Sequence, residues 1–463
     1  MKERRIKMTA KGTKKYEIDM CNGPILKKML LFALPLMLSS ILQLLFNAAD
    51  IVVVGRFAGD DSLAAVGSTS SLINLLTNLF IGLSVGSNVL VARYFGARKK
   101  EELQDTVHTA MTLSLIGGAM LTVIGVVGAP IILKWMQSPP EVLSLSVIYL
   151  RVYFSGITAN LVYNFGSSIL RAIGDTKRPL YYLTIAGAVN VSLNLVFVIV
   201  FHWGVFGVGL ATVISQIISA FLVVRCLLTE QSDIRLDLKR LGVNKGKLLQ
   251  IMQIGLPAGF QGMLFSLSNV VIQSSVNSFG ATVVAGNSAA QNLEGFVYVG
   301  MNAFYQAAIS FMGQNVGAGK YNRVNRILFS AQACVITAGF ALSMTVRLFA
   351  APLLSLYTDN PAVVEAGTVR LGIICTTYFL CGMMDVMVGA LRGIGYSIAP
   401  MIVSLLGACA FRLLWIATVF QIDRFHTIET VYRSYPISWT ITFLAHLTTF
   451  IIVRKRLKKR WGE

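Results

Sequence analysis

The sequence predicts an all-α polytopic membrane protein, with twelve transmembrane helices in two six-helix bundles related by a parallel internal repeat. Three observations predict it. The chain is 55% hydrophobic and only 13% charged, with a mean hydropathy of +0.68, which excludes a soluble enzyme of its 463-residue length. Apolar runs long enough to cross a bilayer recur twelve times. A decapeptide of the first half returns in the second half.

The runs cover 30–54, 63–92, 107–133, 142–170, 180–202 and 205–228, then 250–278, 283–312, 326–352, 364–391, 398–421 and 434–453. Each exceeds or approaches the 20 or so residues that a helix rising 1.5 Å per residue needs to cross about 30 Å of hydrocarbon. Residues 229–247 form the longest charged interruption, with Arg235, Lys239, Arg240, Lys245 and Lys247 against Glu230, Asp233 and Asp237. The expected organisation is a basic cytoplasmic tail (1–29), an N-lobe of spans 1–6 (30–228), a cytoplasmic linker (229–247), a C-lobe of spans 7–12 (248–453) and a basic cytoplasmic tail (454–463).

A net charge of +19 would suggest nucleic acid as partner in a soluble protein. Here most lysines and arginines lie in the two tails and in every second loop, so membrane orientation explains the charge. The positive-inside rule places both termini in the cytoplasm, and the loops near Asp60, Pro139, Asp359 and Asp423 outside. Residues 1–28 are polybasic without an apolar core, so no cleavable signal peptide is expected. The six cysteines fall within spans or near their cytoplasmic ends, where no disulfide is expected.

The repeat fixes the architecture. LRAIGDTKRP from Leu170 returns as LRGIGYSIAP from Leu391, 221 positions later; Gly96-Ala97 returns as Gly317-Ala318 and Leu34-Pro35 as Leu256-Pro257. Six spans per half start both halves on the same side, so the copies are parallel. That is a transporter plan, with the pathway between two bundles.

Polar residues inside spans are expensive and mark pathways. In span 1, Ser39, Gln43, Asn47 and Asp50 lie on one helical face, with Asp50 about 30 Å along the helix from Leu30. Asn190 and Asn194 in span 5 and Thr212 and Gln216 in span 6 supply partners for a cation pocket around Asp50. Span 8 carries Asn287, Gln291, Glu294, Tyr298 and Tyr305 on a second polar face, span 7 carries Asn269, Gln273 and Asn277, and span 10 contributes Asp385. Glu294 or Asp385 paired with the mid-span Arg412 would instead be a structural ion pair. His202 and His446 read as structural. The chain has no phosphate-binding loop, paired histidines for zinc or Gly-x-Ser-x-Gly, so no cofactor, no enzymatic activity and no direct use of ATP are expected.

Together, Leu-Pro early in spans 1 and 7, Asn47-Ala-Ala-Asp50 with Gly55, Gly96-Ala97-Arg98, the repeated decapeptide and Gly207-Val-Gly-Leu-Ala-Thr212 resemble the MATE (multidrug and toxic compound extrusion) family over Ile25 to Lys455. The resemblance implies a cation-coupled antiporter that exports amphipathic, cationic compounds by alternating access, in a bacterial cell membrane and as a monomer. Its partners would be a small-molecule substrate, the lipid bilayer and Na⁺ or H⁺ at Asp50. For the DinF-like members, the resemblance places coupling residues at Asp50, Asn190, Asn194 and Thr212. Position 194 departs from that pattern, being Asn where a carboxylate is expected. The glutamate of NorM-like members early in span 7 is missing, since Gly262 to Asn269 contains no acid. A lipid-linked oligosaccharide flippase of the same superfamily is the alternative, for which charged residues lining the cavity are expected. A membrane receptor predicts an elaborated outer surface, and the outer loops here are short.

Overall fold

The structure is a computed structural model that describes residues 16–136 and 140–461. The start of the basic N-terminal tail and the loop at Pro139, expected outside, lie beyond these residues.

The twelve expected spans form as helices: α1 (Ile25–Phe57), α2 (Asp60–Gly96), α3 (Lys100–Trp135), α4 (Pro140–Ser155 and Ile157–Ala172), α5 (Lys177–Leu195) and α6 (Gly204–Thr229). The second half gives α7 (Lys245–Asn277), α8 (Ala281–Gly317), α9 (Val324–Leu348), α10 (Pro361–Thr377 and Phe379–Ile394), α11 (Ile398–Ser404 continuing to Ala417) and α12 (Ile428–Trp461). Among the described residues, nine helices are long and apolar enough to cross a membrane, and the two bent pairs, α4 and α10, bring the number to eleven. The exception is α8. It has no stretch apolar enough to qualify, and most of its residues are buried inside the molecule.

Backbone geometry repeats along with the sequence. The bends in α4 and α10 are 44° and 47°. Left-handed residues recur 221 positions apart at Gly59 and Gly280, Arg98 and Gly319, and Gly174 and Gly395. Gly174 and Gly395 sit just beyond Leu-Arg-Ala/Gly-Ile, and their φ values of 95° and 110° exclude most side chains, which is why the string is kept in both halves.

Without a hydrophobic drive between helices in lipid, the lobes associate through small residues that let backbones approach. A Cβ on Gly96 would lie 2.1 Å from the Gln314 carbonyl oxygen, and one on Gly317 would lie 1.9 Å from that of Arg93. Gln314 is the repeat mate of Arg93 and Gly317 that of Gly96, so α2 and α8 cross through one self-complementary contact. Gly82 and Gly86 meet Gly259 and Gly255 of α7 in the same way. These contacts lie in the halves of the helices nearest the basic loops. The interface there is also polar: Ser310 Oγ donates to Asn88 Oδ1 at 3.1 Å, Gln314 Nε2 to the Ala172 carbonyl at 2.7 Å, and an Arg93 terminal nitrogen to the Ile394 carbonyl at 2.8 Å.

The 229–247 segment is docked on the N-lobe rather than slung between lobes. Gln104 Nε2 donates to the Asp233 carbonyl at 2.6 Å, the Asp237 N–H to His108 Nε2 at 3.0 Å and the Asn244 N–H to Thr109 Oγ1 at 3.1 Å, while Ile234 and Leu236 are buried.

Candidate functional site

In the penultimate turns of α1, Asp50 faces α5. Asn194 Nδ2 donates to Asp50 Oδ1 and also lies 3.4 Å from Asn190 Oδ1; Asn190 Nδ2 in turn lies 3.5 Å from Thr212 Oγ1 of α6. The four residues therefore form one connected chain across three helices. Asn190 and Asn194 are buried one turn apart on α5, and directly after Asn194 the helix loosens into a π-helical turn, Val196–Val200.

This chain is incomplete in one respect. Asn194 Oδ1 and, one turn from Thr212, Gln216 Oε1 are buried with no hydrogen-bond partner. Two unmatched carbonyl oxygens, a carboxylate and a hydroxyl are hard oxygen donors of the kind that bind Na⁺, and the carboxylate is also a proton acceptor. The residues present thus fit a monovalent coupling ion.

Asp50, Asn190, Thr212 and Gln216 line a cavity of about 270 Å³, as do Gln43 and Asn47 of the α1 stripe. Its lining is mostly amide and hydroxyl, with Ser84, Asn160, Tyr163, Asn164 and Arg171 toward its other end and Asn302 and Gln306 entering from α8. A second cavity of about 280 Å³ lies in the C-lobe, lined by Tyr298, Tyr305, Asp385 and Arg392. The two share Ile81 and Val85 of α2 and their repeat mates Asn302 and Gln306 of α8. They are the two sides of one cleft about the pseudo-twofold axis.

The other C-lobe candidates have different surroundings. The Tyr298 hydroxyl hydrogen-bonds Asp385 within the second cavity. Glu294 and Asn287 face away from it: Arg370 Nε and a terminal nitrogen donate to the two Glu294 oxygens, each at 2.8 Å, and its other nitrogen donates to Asn287 Oδ1 at 2.9 Å. Asn287 Nδ2 donates onward to Gln273 Oε1 at 3.0 Å, and Gln273 to Asn277 at 3.0 Å. Asn269 and Gln291 are exposed and line neither cavity.

The structural alternative, Glu294 or Asp385 paired with Arg412, does not form among the described residues. Glu294 takes Arg370 of α10. Arg412 instead donates through Nε to Ser438 Oγ at 2.8 Å and lies over the Tyr435 ring at 4.2 Å. Sequence reasoning passed over Arg370 because its partner sits 76 positions away on another helix. It also read Arg171 and Arg392 as loop cations, although both stand within helices and line the cavities. Their place in the repeated string was the available signal.

The model of the family described as MatE matches residues 35–196 and 257–416. The chain is similar to the probable multidrug resistance protein YoeA of Bacillus subtilis, 26% identical over 427 residues, with 90% of this chain and 92% of that protein covered. The probable multidrug resistance protein YpnP of the same organism is 27% identical over 394 residues, covering 85% and 88%. Among solved structures, an outward-facing conformation of a multidrug resistance MATE family transporter of the MOP superfamily superposes with a TM-score of 0.90 at 22% identity, covering 97% of this chain and all of that one.

Proposed function

The chain belongs to the MatE family, and on that premise we propose that it is a secondary active antiporter that exports amphipathic organic compounds in exchange for Na⁺ or H⁺ bound at Asp50. It is a multi-pass membrane transporter and not an enzyme, with relatives named as multidrug resistance proteins. The observation that carries the coupling proposal is the pair of unmatched buried carbonyls, Asn194 Oδ1 and Gln216 Oε1, around a carboxylate whose neighbours are all neutral. A cation beside Asp50 would give the carboxylate the counter-charge that its neighbours lack.

Where the lobes touch supports alternating access as the mode of transport. Close glycine contacts hold α2 to α7 and α8 near the basic loops, so a cleft between lobes opens toward the opposite end. With the basic loops inside the cell, as their charge favours, this is an outward-open state in which Asp50 can take a cation from outside. Export requires the cation and the substrate to favour opposite states, because a ligand shifts a conformational equilibrium only by its differential affinity. The linker is docked on α3 and so moves with the N-lobe.

Ethidium efflux from proteoliposomes under separately imposed Na⁺ and proton gradients tests the reading. One gradient should drive efflux, and Asp50→Asn should abolish it while leaving the protein inserted and monodisperse. Full gradient-driven efflux by that variant would move the coupling site elsewhere.

A further inference from the structure

The repeated string that marks the lobes also puts an arginine at the same place in each, Arg171 in the first cavity and Arg392 in the second. Their surroundings differ. Arg392 donates to the Tyr305 hydroxyl oxygen at 2.6 Å and to Gln261 Oε1 at 2.8 Å, and Asp385, seven residues earlier and therefore on the same side of α10, lines the same cavity. The repeat mate of Asp385 in the N-lobe is Asn164, which is neutral.

Arg171 is thus without a counter-charge. Among the described residues its guanidinium makes no ion pair and no hydrogen bond, and its Nε is buried without a partner. The acid nearest in sequence, Asp175, is taken by Arg178 and by the Lys177 and Arg178 backbone N–H groups. Among the described residues, the only acid lining the cavity, Asp50, is at its other end. It is held by Asn194, about 22 Å along α5 from Pro179, whose carbonyl accepts the Tyr163 hydroxyl at 3.1 Å next to Arg171.

A membrane-embedded guanidinium is costly unless something anionic meets it, and its planar fork matches a carboxylate or phosphate. Asn164 and Asn160, seven and eleven residues before Arg171 on α4, continue the polar lining of the same cavity. Resting on the exporter reading above, we propose that Arg171 is the anchor for an acidic group of the exported compound, so that the favoured substrates are amphipaths bearing a carboxylate or phosphate.

Rhodamine 110 and its methyl ester, rhodamine 123, isolate that group on one cationic fluorophore. Their binding to purified protein in neutral detergent, read by fluorescence anisotropy, needs no ion gradient, so it succeeds or fails independently of cation coupling. The acid should bind about tenfold or more tighter than the ester, the size of one charge-assisted hydrogen-bonded pair. Arg171→Gln should remove that preference by weakening the acid far more than the ester, and Arg171→Lys should keep part of it. Equal binding of the two dyes by the wild type, no binding of the acid, or an equal loss of both in Arg171→Gln would overturn the proposal. Displacement of the acid by added phosphatidylglycerol would assign the site to a lipid headgroup and also overturn it.

Discussion

Glu294→Gln should destabilise the C-lobe by about 3–5 kcal/mol, because it removes one partner of a buried ion pair and strands the other. Three observations set that size. Both Arg370–Glu294 contacts are 2.8 Å, in the bidentate arrangement that makes such pairs strong. Arg370 and Glu294 are 3% and 6% exposed, so water cannot take the place of the lost oxygen. The remaining neighbours of the guanidinium, Asn287 and the Tyr432 and Tyr435 rings at 5.1 and 5.5 Å, carry no negative charge. Removing both charges with Glu294→Gln and Arg370→Met leaves no stranded cation, so the double variant should recover about 2 kcal/mol or more of the summed single losses. Reversible unfolding by SDS in mixed micelles, followed by circular dichroism, provides the four free energies of the cycle. Single losses that add within about 0.5 kcal/mol would refute the pairing. So would rescue of Glu294→Gln by Arg412→Met in place of Arg370→Met.

Gly96→Leu should push α2 from α8, since even a Cβ there would overlap the Gln314 carbonyl; spin labels at Lys99 and Lys320 should show the basic ends further apart than in the wild type, and an unchanged distance would count against the closed contact. Asn194→Asp should change the pH or Na⁺ dependence of ethidium efflux, because two adjoining acids titrate as a coupled pair, and an unaltered profile would remove Asn194 from the ion site. Cysteines placed at Lys99 or Lys245 should resist an impermeant thiol reagent in intact cells, while one at Asp359 should react; the reverse pattern would invert the topology.

Much of this protein is written in its hydropathy and its repeat. Twelve spans, two parallel lobes and an Asp50 stripe follow from apolar run length, from LRAIGDTKRP returning as LRGIGYSIAP, and from the three- and four-residue spacing of polar side chains on α1. All of these are local or periodic properties, which a linear string records. Even α8, too polar for a lipid-facing span, was legible as a helix with a polar face; that it lies inside the molecule follows from the repeat, because it is the copy of α2.

What the sequence left open were choices among partners. Three acids and several arginines within spans allow many pairings, and Coulomb attraction does not depend on sequence distance. Only the packing of α8 against α10 and of α11 against α12 decided that Glu294 meets Arg370 while Arg412 lies over Tyr435. The same holds for the cavities. The 221-residue offset makes Asn164 the mate of Asp385, and only the folded lobes show that each lines a cavity together with an arginine. Among the described residues, the arginine that shares its C-lobe cavity with a nearby acid has none beside it in the N-lobe at Arg171, because burial and counter-charge are properties of position in space and not of residue type.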